Sequence, residues 1–328
     1  MAILDELIEK SQDFDSHKDD HEVVAAELNF NPGGDIVMAT KYGPMNLQPT
    51  EHALSQVFDR LGNATYGSAL PQKHMLSIPR ELMAYDLNYL MPSMGKKNRV
   101  PWLVRCYDST ARACLTTEYT ILQNTQVMET VAEAVRNRVF SAQEIHSPTV
   151  TPDQINLKIT TVNVNTDDGP YGIGAYVRND EIGRGRVEMR PYLKRGKCDN
   201  TIIFPGDADM SHVHRGSLRR IMYEIYSALQ HAFQLSQTWL QTLLDAEMEQ
   251  LPKMDEMIDQ MAKKYAWSID IRQAVAFGSE GRDTVAGLVH GITYAAHTQL
   301  QGDDQIDMEC LAGQFLRSMT TKREALRQ

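Results

Sequence analysis

"QINLKITTVNVNTDDGPYGIGAYVRNDEIGRGRVEMRPYLKRGKCDNTIIF", residues 154–204, decides the fold. Four strand-like runs, INLKITTVNV, YGIGAYV, RGRVEMRPYL and NTIIF, are joined by connectors at 165–170 and 179–183 that carry the Asn, Asp and Gly favoured in turns. Runs of that length with such punctuation predict an antiparallel meander. Beyond Ser211 the period changes: Leu218, Ile221, Met222, Ile225, Leu229, Phe233, Leu240 and Leu244 outline one apolar stripe on a long helix that Pro252 ends or kinks. The segments MDEMIDQMAKKYA, DTVAGLVHGITYAAHTQL and DMECLAGQFLRSM continue in helical pattern.

Upstream, Asn31-Pro32-Gly33-Gly34 between two apolar runs predicts a hairpin, and Thr50 caps a helix carrying Leu54, Val57, Phe58 and Leu61 until Gly62. A second helix is expected over Pro79 to Leu90, then two strands, RVPWLVRCYD and ARACLTTEYTIL, and a helix after Asn124. The expected fold is α+β: an antiparallel meander packed against a long helix, with a helical C-terminal third. Three regions follow: an acidic arm and hairpin at 1–50, an α+β core at 51–205, and a helical region at 206–328.

Within Arg184–Lys194, period-two alternation puts Arg184, Arg186, Glu188, Arg190, Tyr192 and Lys194 on one face and Val187, Met189 and Leu193 on the other. From Arg178 to Lys197 seven cations, Arg195 among them, face Asp180, Glu181 and Glu188, a local net of +4 in a chain of net charge −10. Residues 1–30 hold nine acids against Lys10 and Lys18, a local net of −7. Cations tracking a backbone beside an aromatic ring suit single-stranded nucleic acid. A solvated face, or one neutralised by the acidic arm of a second subunit, is the other reading. Lys96, Lys97, Arg99 and Arg105 with Trp102 form a second basic group that would extend such a groove.

Asp207, Asp209, His212, His214 and Arg215 form the cluster closest in type to a metal or nuclease site. It stands where Asp209 or Ser211 would cap the long helix. No GxxxxGK[ST] run and no GxSxG elbow occurs, so neither ATP-driven chemistry nor a hydrolase triad is expected. No catalytic constellation and no cofactor are expected. Cys106, Cys114, Cys198 and Cys310 are widely spaced and form no CxxC pair, as reduced thiols would be. The acidic N-terminus, MAILDELIEK, and the lack of any apolar run near 20 residues predict a cytoplasmic protein without a membrane partner.

The order of motifs is similar to that of a phage- and plasmid-related family, domain of unknown function nine-three-two. It rests on LNYLM, WLVRCYDSTARACLTTEYTILQN, VRNDEIGRGRVEMRPYLKRGKCDNTIIF, HVHRG and VAGLVHGITYAAHTQ…MECLAGQFL, over roughly residues 75 to 320. Asn179-Asp180-Glu181 stands for that family's Asn-Ser-Glu, and Asp199-Asn200-Thr201 for Thr-Asn-Gly. The family label carries no activity; its contexts imply DNA replication or recombination. A helix, an antiparallel meander and a long helix in sequence also resemble the core of single-strand annealing proteins. That resemblance implies an ATP-independent protein binding single-stranded DNA as a homo-oligomeric ring or helix, with Arg178, Arg184, Arg186, Arg190, Tyr192, Lys194, Arg195, Lys197, Trp102 and Arg105 at the strand. An assembly or interaction protein of a phage or plasmid is the alternative.

Overall fold

The computed structural model describes residues 2–327 apart from 41–42, 93–100, 140, 197–199, 207–209 and 213, with backbone alone at 210–212 and 322–327. The fold is α+β, as expected, and its strands form two six-stranded sheets.

The first sheet contains β1 (Lys18–Val23), β2 (Asn29–Phe30), β3 (Ile36–Thr40), β4 (Gly43–Pro49), β5 (Trp102–Tyr107) and β6 (Thr110–Thr116), in the order β1-β5-β6-β4-β3-β2. The hairpin at Asn31–Gly34 joins β2 to β3, with Gly34 at φ +84. The strand expected to reach residue 122 stops at Thr116, where the Tyr119 amide donates back to the Thr116 carbonyl. Thr50 caps α2 (Glu51–Tyr66) by accepting from the Ala53 amide. Gly62 does not end that helix; it lies within it, where a Cβ would come within 2.3 Å of the Leu70 amide. Gly67, at φ +74, ends it instead. Leu54, Val57, Phe58 and Leu61 of α2 pack with Met75 of α3 (Gln72–Ser77) and with Met83 and Leu87 of α4 (Arg80–Leu90) against Ile36, Met38, Leu47 and Val104.

The second sheet is antiparallel: β7 (Glu144–Val150), β8 (Gln154–Thr166), β9 (Gly169–Asp180), β10 (Val187–Arg195), β11 (Thr201–Ile203) and β12 (Met210–His212). Ile155, Leu157, Ile159, Ala175, Val177, Val187 and Met189 share one face. That face packs on α1 (Ala2–Ser16), α5 (Asn124–Arg136) and the first half of α6 (Leu218–Ala246). Ser217 caps α6 by accepting from the Arg220 amide, in place of Asp209 or Ser211, and the helix ends before Pro252.

The opposite face, with Lys158, Tyr176, Arg190, Tyr192 and Lys194, lies under α10 (Gly302–Arg327). There Tyr176, Tyr192 and Ile203 pack with Ile306 and Cys310. A Cβ at Gly313 would stand 2.2 Å from the Ile203 carbonyl oxygen, so glycine lets α10 lie directly on β11. The second half of α6 meets α7 (Met254–Lys264), α8 (Ile269–Gly278), α9 (Val285–Gln299) and α10 in a separate apolar cluster. No described helix is long and apolar enough to cross a membrane.

The acidic N-terminal residues are packed rather than extended. Leu4 and Ile8 of α1 are buried against α5, and β1 pairs with β5 along its whole length. Deleting residues 1–23 is therefore expected to abolish the cooperative thermal transition followed by circular dichroism. An unchanged transition would contradict the packing of this segment.

Candidate nucleic-acid interface

The turn from Asn179 to Arg186 organises the region. One Asp180 carboxylate oxygen accepts from the Ile182 amide at 3.1 Å and the Arg184 amide at 2.9 Å. A short polar side chain closing its own turn is the usual reason for Asp in such a place. Gly183 follows at φ +78, and a Cβ there would meet Leu115 at 2.8 Å. The Asn179 amide group donates to the Leu122 carbonyl and to Asn124 Oδ1. His52 and Gln56 of α2 both reach the Ile182 carbonyl, at 2.9 and 3.0 Å. Tyr119 donates to the Asp180 carbonyl.

Glu181 is the buried centre of this turn. Its carboxylate meets Lys18 Nζ at 2.8 Å, the Asn124 amide at 2.6 Å and Arg105 at 3.4 Å. Arg105 is fully buried and also pairs with Asp20 at 3.1 Å, and it donates to the Glu181 carbonyl at 2.6 Å. Arg112 stands 4.0 Å from Glu181 and pairs with Asp153 at 2.8 Å. These partners come from β1, β5, β6 and α5, so the turn ties the two sheets together.

The expectation of one outward cationic strand face is corrected. Residues 184–186 belong to the turn, and β10 begins at Val187. From there the alternation holds, yet the cations meet acids of the same chain. Arg178 pairs with Asp303, Arg190 with Glu188, Lys194 with Glu144, and Arg195 with Asp168 and Glu280. Arg190 also donates to the Cys310 sulfur. Tyr192 is fully buried under α10. Trp102 is buried beneath the Arg60 guanidinium, 5.6 Å from its ring centre, and Arg105 is occupied by Glu181 and Asp20. The physical reason is that the same chain supplies the counter-charges, from β1 and α10 but also from β7, from β10 itself, from the β8–β9 turn and from the segment after α8.

Lys96, Lys97, Arg99, Lys197, Asp207 and Asp209 lie outside the described residues, as does the side chain of His212. His214 is buried and stacks on Tyr119, ring centres 4.8 Å apart and 8° from parallel. Cys106, Cys114 and Cys310 are free and buried, and burial pushes each thiol up to about 12.

What reaches the surface is a partly different set of cations. Arg184 and Arg186 are exposed, and so are Arg215, Arg219 and Arg220. Pairing of Val187 with His212 brings the two segments side by side. Hydrogen bonds from Thr120 to the His214 and Gly216 carbonyls, at 2.8 and 2.6 Å, hold Arg215 at the same end. Arg219 and Arg220 occupy the first turn of α6, where the helix dipole disfavours positive charge. Tyr223, three and four residues further on, shares their face and is 75 % exposed. Within this rim Glu118 lies 4.0 Å from Arg215, and Glu224 pairs with Arg220 at 2.6 Å. Sequence reasoning passed over Arg219, Arg220 and Tyr223. The available signal was two arginines opposing the dipole at a helix start, with a tyrosine off the apolar stripe.

A second charged knot joins the β8–β9 turn to the C-terminal helices. Asp168, Glu247 and His290 present ligand-type atoms within 4.8 Å of one another, a grouping of metal-site type. Guanidinium groups already occupy it: Arg195 grips Asp168 through two bonds of 2.9 Å, and Arg282 bridges Asp168 and Glu247 at 3.0 and 3.2 Å. A cation would have to displace both. Burial alone would raise the Asp168 carboxyl, yet Arg195 and Tyr171 hold it far below the usual range. Burial pushes the His290 imidazole down, with Glu247 opposing.

No family model matches the chain, and no curated protein or solved structure does so either.

Two measurements check this account. Glu181→Gln leaves Arg105 and Lys18 without their shared charge, so urea unfolding is expected to show a loss of about 3–5 kcal/mol. A loss below about 1 kcal/mol would contradict the cluster's role. For His290 the folded value is lower than the ordinary 6.5, so as pH falls through that value the unfolded chain takes up the proton first. Wild-type stability is thus expected to fall below about pH 6.5 relative to His290→Asn, read from urea midpoints. Asp168 adds its own loss only below the ordinary carboxylate value of 3.8. A rising wild-type curve, relative to the variant, would overturn the assignment.

Proposed function

We propose that this protein binds single-stranded DNA and anneals complementary strands without ATP. The observation carrying the reading is the rim of Arg184, Arg186, Arg215, Arg219 and Arg220 with Tyr223. It lies where the meander meets the N-terminus of the long helix. The arginines contact phosphates, and Tyr223 offers a ring face on which any base can stack. The rest of the surface is acidic enough to repel a polyanion, so binding concentrates at the rim. The motif order of residues 75 to 320 and the succession of α5, the meander and α6 support the same reading by resemblance alone. Annealing of long strands requires several such rims in register, hence a homo-oligomer.

A second reading, an assembly or interaction protein of a phage or plasmid, is favoured by one observation. Leu82, Tyr85 and Tyr89 form an exposed stripe on α4, 56 %, 71 % and 77 % accessible, of the kind that marks protein contacts.

The test is oligo-dT binding by the Arg184→Ala, Arg186→Ala, Arg219→Ala triple variant across a salt series. Each lost phosphate contact removes about 0.7 from the log–log salt slope, so a decrease of about 2 is expected, with weaker binding. Unchanged slope and affinity in a folded variant would refute the rim, and no single-strand binding by the wild type would leave the assembly reading in its place.

A further inference from the structure

A cavity of about 570 Å³ opens between α10, the α7–α8 connection and the edge of β10, on the far side of α10's buried acid Glu309. Its volume falls in the range that holds a small organic ligand. Asp304, Asp307, Met308, Leu311 and Gln314 recur at helical spacing and supply one wall. The opposite wall is aromatic: Tyr265 and Trp267 stack with ring centres 6.1 Å apart and planes 25° apart. Ala266 between them sits at φ +52, a conformation that costs a non-glycine residue and that presents both rings on one side of the loop. Ile271 and Leu300 close the apolar part, and Arg190 lines the base.

The polar groups define what would fit. A flat ring can lie on the aromatic wall, where stacking contributes about 1–3 kcal/mol for a nucleobase. Asp304 and Asp307 are exposed carboxylates and only accept hydrogen bonds. Gln314 both donates and accepts. Arg190 is turned toward Glu188, at 3.0 Å, and Cys310, at 3.2 Å, so its donors are already directed into the protein. A ring bearing an exocyclic amino group satisfies the carboxylates. Thymine, which offers carbonyl oxygens on both sides of its single N–H, sets acceptor against acceptor there.

The geometry points to a binding site for an amino-bearing nucleobase, such as adenine or cytosine, stacked on Tyr265 and Trp267 and read by Asp304 and Asp307. The site is separate from the arginine rim and needs no phosphate contact, so it stands or falls independently of the single-strand reading.

The experiment is titration of the full-length protein with deoxyadenosine, deoxycytidine and thymidine, followed by tryptophan fluorescence. Trp102 is buried, Trp239 is partly buried and stacked on Phe204 away from this cavity, and Trp267 lies at the cavity. Saturable quenching by deoxyadenosine and deoxycytidine is expected, with thymidine weaker by about tenfold or more, the worth of one hydrogen bond to a charged group. Trp267→Phe should remove the signal change, and Asp304→Asn with Asp307→Asn should erase the preference over thymidine. The triple arginine variant should bind the nucleosides as the wild type does. No saturable quenching, equal response to thymidine, or an undiminished preference in the double Asp variant would overturn the proposal. Nucleoside binding without oligo-dT binding would count against the rim alone, and the converse against this site alone.

Discussion

The Glu181 carboxylate, withdrawn from water between Lys18, Arg105 and the Asn124 amide, is the constraint from which the rest of the architecture follows. A buried charge persists only where partners and hydrogen bonds replace its hydration. Here the partners arrive from β1, β5 and the start of α5, so the charge is satisfied only when both sheets are docked. The same turn is braced from α2 by His52 and Gln56 and from beneath by Asn179. Its direction is thereby set, and Arg184 and Arg186 emerge on the outside. Inner acid and outer cations are thus two sides of one turn.

The second sheet follows a related logic. Its apolar face meets α5 and α6, while much of its polar face lies under α10. Lys158 finds Glu309 and Thr201, Arg178 finds Asp303, and Tyr176 donates to Asn156. Gly174 is needed on this sheet because a Cβ there would lie 1.8 Å from the Ile159 carbonyl oxygen. The polarised charge of the chain is therefore consumed largely in holding it together. The cations at the β9–β10 turn and the start of α6 face outward as a group.

Much of this was legible in the residues. From Val187 onward, period-two alternation separated the faces of β10 correctly, because both faces are packed and a register slip would reverse them. The start of β10 was misread by three residues, since Asp180 bonds its own turn and withdraws Arg184 and Arg186 from the ladder. β7 escaped notice because Pro148 and a bulge between His146 and Thr149 interrupt its pattern. That Tyr192 would lie under α10 could not be read locally: the covering helix is more than a hundred residues away in sequence. Trp102 and Arg105 misled for the same reason, their partners being supplied by other elements.

The most direct measurement is amide hydrogen exchange with and without saturating oligo-dT. The account predicts added protection across residues 182–186 and 214–220, with residues 188–195 and the first turns of α10 unchanged. Protection or opening confined to residues 188–195 and α10, with the turn and the start of α6 unaffected, would contradict it.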